Sequence, residues 1–159
     1  MIAANIMNTE VVTLGPEATL GEGIKLLTEK GISKLPIVDG ERRVLGLITP
    51  RILMKAVLPK YITSGFLKDV KFAPEPKEFI EKFEGLTAKK LSEFLDMGAD
   101  GVCSISPETS TMEIAAICVN AEKPVECIMV VDDEKRLLGI ISPWDFLKRL
   151  WEYVEKKNG

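Results

Sequence analysis

The residues of this chain that could bind a ligand stand at two equivalent helix starts. Ser142-Pro-Trp-Asp145 places a carboxylate three residues after a hydroxyl, whereas Thr49-Pro-Arg-Ile52 offers a hydroxyl and a basic side chain. An ionised carboxylate can accept hydrogen bonds from two vicinal hydroxyls, and a helix N-terminus with free N–H groups favours a nearby anion. The same residues also suit helix capping alone, because Ser and Thr are good N-caps and Asp in the first turn interacts favourably with the helix dipole.

The composition removes most of the usual catalytic groups. The 159-residue chain has no histidine, so it lacks the commonest general base, any Ser-His or Cys-His nucleophile pair and the commonest metal ligand. Its three cysteines, Cys103, Cys118 and Cys127, match no zinc or redox spacing and are interpreted as small buried apolar residues. We therefore predict a protein that is not an enzyme, with no catalytic residue, no metal site and no cofactor.

Charge and hydropathy narrow the range of partners. A formal net charge of -3 argues against a general nucleic-acid surface or an anionic-membrane surface. The first residues carry no basic region, and no apolar run approaches the roughly 18 residues of a membrane span. The length suits one domain, or one pair of half-domains, with a sizeable core. We expect a soluble, cytoplasmic protein with no membrane contact, for which nucleic acid is not a partner.

The two helix starts belong to an internal repeat. The segment 39–50, Asp-Gly-Glu-Arg-Arg-Val-Leu-Gly-Leu-Ile-Thr-Pro, returns at 132–143 as Asp-Asp-Glu-Lys-Arg-Leu-Leu-Gly-Ile-Ile-Ser-Pro, an offset of 93. Upstream, the segment 14–22 returns at 105–113, an offset of 91. A unit this small usually cannot bury its apolar face alone, so the two copies must pack together. We expect any ligand site on or near their pseudo-twofold axis.

Each copy is predicted to have the order β-α-β-β-α, which places the chain in the α/β (α+β) class. Apolar, β-prone runs predict strands near 11–14, 34–38 and 44–48, mirrored near 102–105, 127–131 and 137–141. Asp39-Gly40 and Asp132-Asp133 are placed to begin the turns between the last two strands. Thr49-Pro50 and Ser142-Pro143 then start the closing helices, with the hydroxyl at N-cap and proline at N1.

The first helix of each copy carries the spacing of a capping box. Thr19 with Glu22, and Ser110 with Glu113, pair an N-cap hydroxyl with a carboxylate three residues later. Gly31 is placed to end the first of these helices. Helical spacing predicts that one set of residues faces the core in each copy: Leu20, Ile24 and Leu27 in the first, and Met112, Ala115, Ala116 and Val119 in the second.

The segment between the copies is predicted to be an ordered insertion, which divides the chain into 1–58, 59–87 and 88–159. It contains Tyr61, Phe66, Phe72, Phe79 and Phe83, half of the ten aromatic residues, and disordered linkers are poor in aromatics. A short amphipathic helix is expected between 77 and 84. The insertion is either a connector packed against the copies or a partner-binding lid or dimer contact.

Taken together, the two copies resemble a CBS-domain pair, also called a Bateman module. The likeness rests on the repeated β-α-β-β-α order, the run Leu35-Pro-Ile-Val-Asp39, the strand ends Gly-Leu-Ile-Thr49 and Gly-Ile-Ile-Ser142, and the helix directly after each hydroxyl. It covers nearly all of the chain outside the insertion. The resemblance implies a regulatory module that binds AMP, ADP, ATP or S-adenosylmethionine in the cleft between the copies.

The family motif assigns roles to the second copy. By resemblance, Asp145 would hold the ribose hydroxyls, Ser142 would contact phosphate, and strand residues such as Ile140 and Pro36 would frame the adenine. The first copy departs from the motif, because Ile52 stands where the ribose-binding Asp should be.

The basic residues of the predicted site lie in the first copy, whereas its carboxylate lies in the second. In the first copy, Lys34 stands where the family often has basic phosphate ligands, and the second copy has Glu126 there. Arg51, beside Thr49, is a second cation of the first copy. The resemblance thus suggests one asymmetric site that joins Asp145 and Ser142 to Lys34 and Arg51. Lys34 and Arg51 are equally interpreted as solvated surface cations, and Glu126 argues against a multiply charged ligand.

Two functions remain open on the sequence alone. The first is a stand-alone, adenosine-sensing regulatory module that signals by conformational or oligomeric change, to a separate effector protein or through its own assembly. The second is a protein-interaction or dimerisation scaffold whose ligand site has decayed. In either case we expect a homodimer, because Trp144, Trp151 and Tyr153 on the last helix cannot all be buried on one stripe. Helix residues near Leu53 and Val57 are expected to share that interface.

Overall fold

The computed structural model describes residues 1–58, 76–98 and 102–159. Its helices are α1 (Ala3–Ile6), α2 (Leu20–Lys30), α3 (Pro50–Val57), α4 (Pro76–Thr87), α5 (Thr111–Asn120) and α6 (Pro143–Asn158), with a 3₁₀ helix over Leu91–Gly98. Its strands are β1 (Leu35–Val38), β2 (Val44–Ile48), β3 (Val102–Ile105), β4 (Cys127–Val131) and β5 (Leu137–Ile141). This α+β order confirms the two predicted copies, and α4 confirms the short helix expected between 77 and 84. The predicted packing of Tyr61, Phe66 and Phe72 lies outside the described residues.

The described residues form two compact units that do not follow the order of the repeat. Unit 1 draws on Met1–Thr13, Val38–Val44 and Ala99–Gly159, and unit 2 on Leu14–Ile37 and Leu45–Gly98. Unit 1 therefore combines the second copy with the first residues of the chain and with the turn between β1 and β2. The division into 1–58, 59–87 and 88–159 stays a prediction.

Unit 1 is built on a three-stranded sheet of order β3-β4-β5. Strands β3 and β4 are parallel, with Val102 opposite Cys127, and β4 and β5 are antiparallel, with Ile128 opposite Ile141. A parallel pair needs a crossover connection, and α5 supplies it. The core of the unit consists of small and branched apolar residues from α1, the sheet and α5: Ala3, Ile6, Ile105, Ile114, Ile128, Val130 and Ile141.

Helix α5 turns a different face to this core than the sequence predicted. Ile114 is buried, with Ile117 and Cys118 packed against the same cluster, whereas Met112 and Val119 are each 81% exposed. The prediction that Met112, Ala115, Ala116 and Val119 form the inner face was therefore wrong. The helix is apolar on both sides, so helical spacing alone could not distinguish the side that packs on the sheet.

Unit 2 contains α2, most of the β1–β2 pair and α3. Thr19 and Glu22 form the predicted capping box, Gly31 ends α2 in the left-handed conformation (φ 63°), and Leu20 and Leu27 are buried as expected. Helix α4 contacts α2 and α3, and the 3₁₀ helix contacts α3. The large buried apolar residues of the unit include Leu20, Leu27, Leu35, Ile37, Leu47, Ile48, Ile52, Val57, Leu91 and Phe94.

The first predicted strand, near 11–14, is reduced to a single parallel bridge between Leu14 and Ile37. Its counterpart β3 pairs with β4 over four residues. The boundary between unit 1 and unit 2 falls between Thr13 and Leu14. Val11 packs with the unit 1 cluster of Val38, Met129 and Leu137, so only Leu14 is left beside β1.

The segment ahead of each copy supports the start of a helix that belongs to the other copy. In unit 1, the Ala3 N–H donates to the Thr109 carbonyl at 2.8 Å, and the Thr111 N–H donates to the Met1 carbonyl at 3.1 Å. Ile2 and Ser110, the N-cap of α5, form an antiparallel bridge. The first residues of the chain thus support the start of α5 in the second copy.

Unit 2 repeats these bonds with residues 89–94. The Leu91 N–H donates to the Ala18 carbonyl at 2.8 Å, and the Leu20 N–H donates to the Lys89 carbonyl at 2.8 Å. Thr19, the N-cap of α2, bridges Lys90. The two leading segments are 88 residues apart, an offset that differs from both offsets found in the sequence. This third element of the repeat has little residue identity, which is why the sequence did not show it.

The turns between the last two strands are the most alike part of the two copies. Asp39 accepts the backbone N–H groups of Glu41 and Arg43 through Oδ1 and the Arg43 guanidinium through Oδ2, and Asp132 repeats this with Glu134 and Arg136. These hydrogen bonds, led by the backbone N–H of Arg43 or Arg136, hold the pKa of each aspartate below its ordinary value of 3.8.

The two turns also pair with each other inside unit 1. The Val44 N–H donates to the Lys135 carbonyl at 3.0 Å, and the Leu137 N–H donates to the Arg42 carbonyl at 3.0 Å. Arg42 and Lys135 both take positive φ values, 66° and 63°, which are uncommon for residues other than glycine. Identical bonds exchanged in both directions give this turn pair a local twofold symmetry.

Candidate functional site

The start of α6 is organised by a reciprocal cap between Ser142 and Asp145. Ser142 Oγ accepts the Asp145 N–H at 3.1 Å, while Asp145 Oδ2 accepts the Ser142 N–H at 3.1 Å and the Ser142 hydroxyl at 2.5 Å. Every one of these bonds to the carboxylate uses Oδ2. Asp145 Oδ1 makes no hydrogen bond with residues 1–58, 76–98 or 102–159. Capping therefore engages one carboxylate oxygen and leaves the other available to a ligand.

The strand that leads to this helix start is covered by the first residues of the chain. The Asn8 N–H donates to the Ile140 carbonyl at 2.8 Å, and the Ile140 N–H donates to the Asn8 carbonyl at 3.0 Å. A Cβ atom at Gly139 would lie 2.8 Å from the Asn8 carbonyl oxygen and 2.8 Å from Met7 Sδ. The glycine of the motif thus allows this close backbone approach. Both backbone groups of Ile140 are engaged, and its side chain is half-buried.

A cavity of about 460 Å³ opens between α6 and the first ten residues of the chain, which are called the leading segment from here on. The leading segment contributes Ile6, Met7, Asn8, Thr9 and Glu10, and α6 contributes Asp145, Lys148, Arg149 and Glu152. Arg149 pairs with Glu152 at 2.9 Å, whereas Lys148 forms no ion pair within the described part of the chain. Cavities of roughly 300–1,000 Å³ are the usual size of small-molecule sites. This one lies wholly within unit 1.

Helix α6 has three distinct faces, which separate the cavity from the core and from the surface. Phe146 and Leu150 are half-buried, and Phe146 packs on the unit 1 core. The cavity face carries Asp145, Lys148, Arg149 and Glu152 at helical spacing. A third face carries exposed apolar side chains, also at helical spacing: Trp144, Leu147, Trp151 and Val154. None of the 16 residues of α6 is fully buried.

The equivalent start of α3 has no carboxylate and no free polar group at that position. Thr49, 3% exposed, caps the helix by accepting the Ile52 N–H at 3.4 Å. Ile52 is itself 5% exposed and contributes to the unit 2 core. Both side chains are therefore buried, and this helix start exposes no carboxylate.

The remaining predicted ligand residues of the first copy lie in unit 2. Pro36 is buried in β1, and its carbonyl accepts the Leu14 N–H at 3.3 Å. Lys34, ahead of β1, and Arg51, in the first turn of α3, are both half-buried. Ser142, Asp145 and Ile140 lie in unit 1. The prediction that both sets contact one ligand stays a prediction.

The described residues show no other arrangement typical of a metal or catalytic site. Among them, no group of three or more His, Cys, Asp or Glu side chains could hold a metal ion. Burial raises the pKa of the Cys103 and Cys118 thiols, and Cys127 is buried in β4. A raised thiol pKa reduces the thiolate fraction and hence the reactivity. Within the same residues, no helix is long and apolar enough to cross a membrane.

Sequence reasoning missed most of the residues that line the cavity. Lys148, Arg149 and Glu152 stand three, four and seven residues after Asp145. This spacing places them on the same face of the helix as Asp145, so the sequence could have predicted them as lining residues. Asn8 and Glu10 carried no such signal, because they reach the site only through the pairing of the leading segment with β5.

Comparisons with known proteins identify the family. The sequence matches the CBS domain over residues 3–59 and 99–152. An inosine-5'-monophosphate dehydrogenase from Methanocaldococcus jannaschii is 31% identical over 149 residues, 92% of this chain, and the chain spans 23% of that relative's length.

Two solved structures share the fold. The structure of CBSX2 in complex with AMP has a TM-score of 0.68 at 14% identity and covers 96% of this chain and 97% of its own. The CBS domain pair of protein MJ0100, in complex with 5-methylthioadenosine and S-adenosyl-L-methionine, has a TM-score of 0.63 at 20% identity, with 96% of both chains covered. The two matched segments coincide with the two copies of the repeat, and the chain belongs to the CBS domain family.

Proposed function

We propose that this chain is a regulatory module that binds an adenosine-containing ligand through the start of α6 in its second copy. The observation that carries the proposal is the geometry of Asp145, whose Oδ2 is held by the cap while Oδ1 stays free at the edge of a cavity. A fixed carboxylate with a free oxygen is well suited to accept hydrogen bonds from ribose hydroxyls. Similarity to CBS pairs solved with AMP or S-adenosylmethionine supports the same ligand class.

Binding would act by shifting the populations of two arrangements of the molecule. A ligand can favour one arrangement only by the difference between its affinities for the two. The cavity is formed by two segments far apart in the chain, the leading segment and α6, so a bound ligand would connect them. We expect the distance between the leading segment and α6 to change on binding. A separate effector protein or a second copy of the chain would respond to that change.

The test of the ligand site is calorimetry with Asp145→Ala. Removing a hydrogen bond to a charged group costs about 1.5–3 kcal/mol, which is roughly a 10- to 150-fold loss of affinity for adenosine and AMP alike. The matched control is Asp133→Ala, an exposed aspartate in the turn before β5. If Asp145→Ala lowers the unfolding temperature but leaves the affinity unchanged, the Ser142–Asp145 pair is a helix cap only.

Phosphate contacts from Lys34 and Arg51 are part of the same proposal. Lys34→Ala and Arg51→Ala should each weaken AMP but leave adenosine unchanged, because only the phosphate would meet these cations. If both variants bind AMP as the unchanged chain does, Lys34 and Arg51 are solvated surface cations.

We also propose that the chain forms a homodimer through the outer faces of α5 and α6. Met112 and Val119 on α5, and Trp144, Leu147, Trp151 and Val154 on α6, are exposed within unit 1. Apolar outer faces on two helices support an interface, since large exposed apolar patches are uncommon on monomers. Val57, expected at the interface, is buried in unit 2, so Met54 is the exposed apolar residue of α3.

Trp151→Glu tests the homodimer, because Trp151 is 62% exposed and its replacement should leave the fold intact. Interface tryptophans often cost about 2 kcal/mol or more when removed, so the dimer should dissociate at micromolar concentrations in sedimentation velocity. Lys157→Glu, on the same helix but outside the apolar stripe, should leave the dimer unchanged. An unchanged chain that sediments as a monomer throughout this range would contradict the proposal.

The alternative function is an interaction scaffold without a ligand, which the same apolar faces of α5 and α6 favour. It predicts that Trp151→Glu abolishes assembly while no adenosine-containing compound binds at millimolar concentration. The two functions are therefore separated by measuring assembly and binding on the same protein.

A further inference from the structure

The thioether of Met7 packs against β5 at the place where the leading segment pairs with that strand. A Cβ atom on Gly139 would lie 2.8 Å from Met7 Sδ and 2.9 Å from Met7 Cγ. The half-buried Met7 side chain also packs against the apolar core of unit 1. A thioether is a soft, apolar group that suits such a contact. The fit between the leading segment and β5 therefore depends on the chemical state of one sulfur atom.

A small oxidant can reach this sulfur, because Met7 also lines the open cavity beside α6. Hydrogen peroxide converts a thioether to a sulfoxide. The sulfur loses two electrons as the S–O bond forms, the O–O bond of the peroxide breaks, and the second oxygen leaves as water with both protons. The product is a polar, chiral side chain in place of a flexible, apolar one.

The surroundings of Met7 are poorly suited to a sulfoxide. Its close approach to Gly139 leaves no space for an added oxygen on that side. The neighbouring backbone donors are already engaged: the Met7 N–H donates to the Ala3 carbonyl at 2.9 Å, and Asn8 and Ile140 exchange N–H groups and carbonyls at 2.8 and 3.0 Å. A polar group held in an apolar contact without a hydrogen bond is unfavourable. A sulfoxide is thus more stable in water than against β5.

We infer that Met7 is a reversible redox switch whose oxidation by a peroxide releases the leading segment from β5. With the thioether, the Asn8–Ile140 pair is closed and the leading segment covers Gly139. With the sulfoxide, this pair opens. A methionine sulfoxide reductase reverses the change: two thiols are oxidised to a disulfide, the sulfoxide oxygen leaves as water, and the thioether is restored. The switch requires no bound ligand, because every contact involved lies within unit 1.

Three other methionine side chains serve as internal standards. Met54 and Met112 are exposed, so they should be oxidised readily and with little effect on the fold. Met129 is buried in β4 and should be oxidised last. Met7 is half-buried and should be oxidised between these extremes. Among these four residues, we expect the leading segment to open in step with the oxidation of Met7.

The test is hydrogen–deuterium exchange on the full chain before and after treatment with hydrogen peroxide, with peptide mapping of the oxygen added at each methionine. Oxidation of Met7 should accelerate exchange at the Asn8 and Ile140 amides by at least about tenfold, because the bonds that protect them open. A methionine sulfoxide reductase with a thiol should restore the original rate. Unchanged exchange at both amides when Met7 is fully oxidised would overturn the inference, as would a Met7 that is oxidised only together with Met129.

Two variants of Met7 separate the switch from general oxidative damage. Met7→Leu keeps an apolar side chain of similar volume without the sulfur, so its Asn8 and Ile140 amides should stay protected after peroxide treatment, although Met54 and Met112 are oxidised. Met7→Gln introduces a polar side chain and should show the faster exchange without peroxide. If treated Met7→Leu loses protection as the unchanged chain does, another residue is responsible and the inference fails. Slow exchange in Met7→Gln would show that the contact accepts a polar group, which also contradicts it.

Discussion

The starts of α3 and α6 occupy equivalent positions in the two copies but have different residues at the third helical position, Ile52 in α3 and Asp145 in α6. Each begins with a buried or half-buried hydroxyl at N-cap and a proline at N1. At the third helical position, Ile52 is 5% exposed and packs in the unit 2 core, whereas Asp145 is half-buried at the edge of a cavity. The cap itself needs only the hydroxyl. The residue at the third position is therefore free to serve packing in one copy and, in the proposed function, ligand binding in the other.

The strand before each helix start shows the same divergence. Gly46 faces the side chain of Leu95 in the 3₁₀ helix, and a Cβ there would lie 2.7 Å from Leu95 Cδ2. Gly139 faces the backbone of the leading segment, with the Asn8 carbonyl oxygen 2.8 Å from a Cβ position. A mobile side-chain end covers the strand in the first copy, and fixed backbone covers it in the second.

The largest expected effect comes from exchanging the third residues of the two helices. Ile52→Asp would place an unpaired charge in the unit 2 core and should lower the free energy of unfolding by about 3–5 kcal/mol. Asp145→Ile leaves the Ser142 cap in place and removes only the bonds between the Asp145 carboxylate and Ser142, so it should cost only about 0.5–1.5 kcal/mol. Urea denaturation of both variants measures the contrast.

Ile52→Val, which shortens the side chain without a charge, serves as the control and should cost about 0.5–1.5 kcal/mol. Equal losses from Ile52→Asp and Asp145→Ile would show that the two positions have the same environment. The comparison between the helix starts would then fail.

The two glycines give an intermediate effect. Gly139→Ala would force a methyl group against the Asn8 carbonyl and Met7 Sδ, so we expect a loss of about 1–3 kcal/mol, as in other overpacked positions. Gly46→Ala should cost less, because the Leu95 side chain can change rotamer. Comparing the melting temperatures of Gly139→Ala and Gly46→Ala tests whether the leading segment is held in place on β5. Equal melting temperatures for the two variants would mean that Asn8 can withdraw from Gly139.

The sequence predicted the parts of this molecule that depend on local chemistry. Capping pairs, the strand runs β1 to β5, the turn aspartates and the two helix starts all depend on residues within a few positions of one another, and the structure places them as predicted. The capping box of α5 is the partial exception: Ser110 accepts the Glu113 N–H at 3.2 Å, and the structure shows no return bond from Glu113 among the described residues.

What the sequence missed depends on contacts between distant segments. The bridge at Leu14 in place of a strand, the support of α5 by Met1 and Ala3, and the cavity beside Asp145 all follow from the leading segment packing with the second copy. Spacing along the chain carries no information about that pairing. For the same reason the orientation of α5 was mispredicted: Met112 and Ile114 are both apolar, and only the sheet determines which is buried.

The smallest expected effect comes from the turns, where the two copies are alike and should respond alike. The pKa of Asp39 and of Asp132 lies below 3.8, because each carboxylate accepts the backbone N–H and guanidinium of Arg43 or Arg136. A carboxyl group whose pKa is lower in the folded state stabilises the fold fully above its ordinary pKa of 3.8. That stabilisation is lost as the pH falls through the lowered value in the folded state.

Asp39→Asn and Asp132→Asn should therefore remove the same part of the acid dependence of unfolding. Melting temperatures measured between pH 7 and pH 2 should fall less steeply below about pH 4 in each variant than in the unchanged chain, since the titrating group is gone. The control is Asp133→Asn, whose side chain makes no hydrogen bond within the described residues and should leave the curve unchanged. Because the turns exchange bonds in both directions, the two variants should give superimposable curves. A clear difference between them would show that the asymmetry of the two copies extends from the helix starts into the turns.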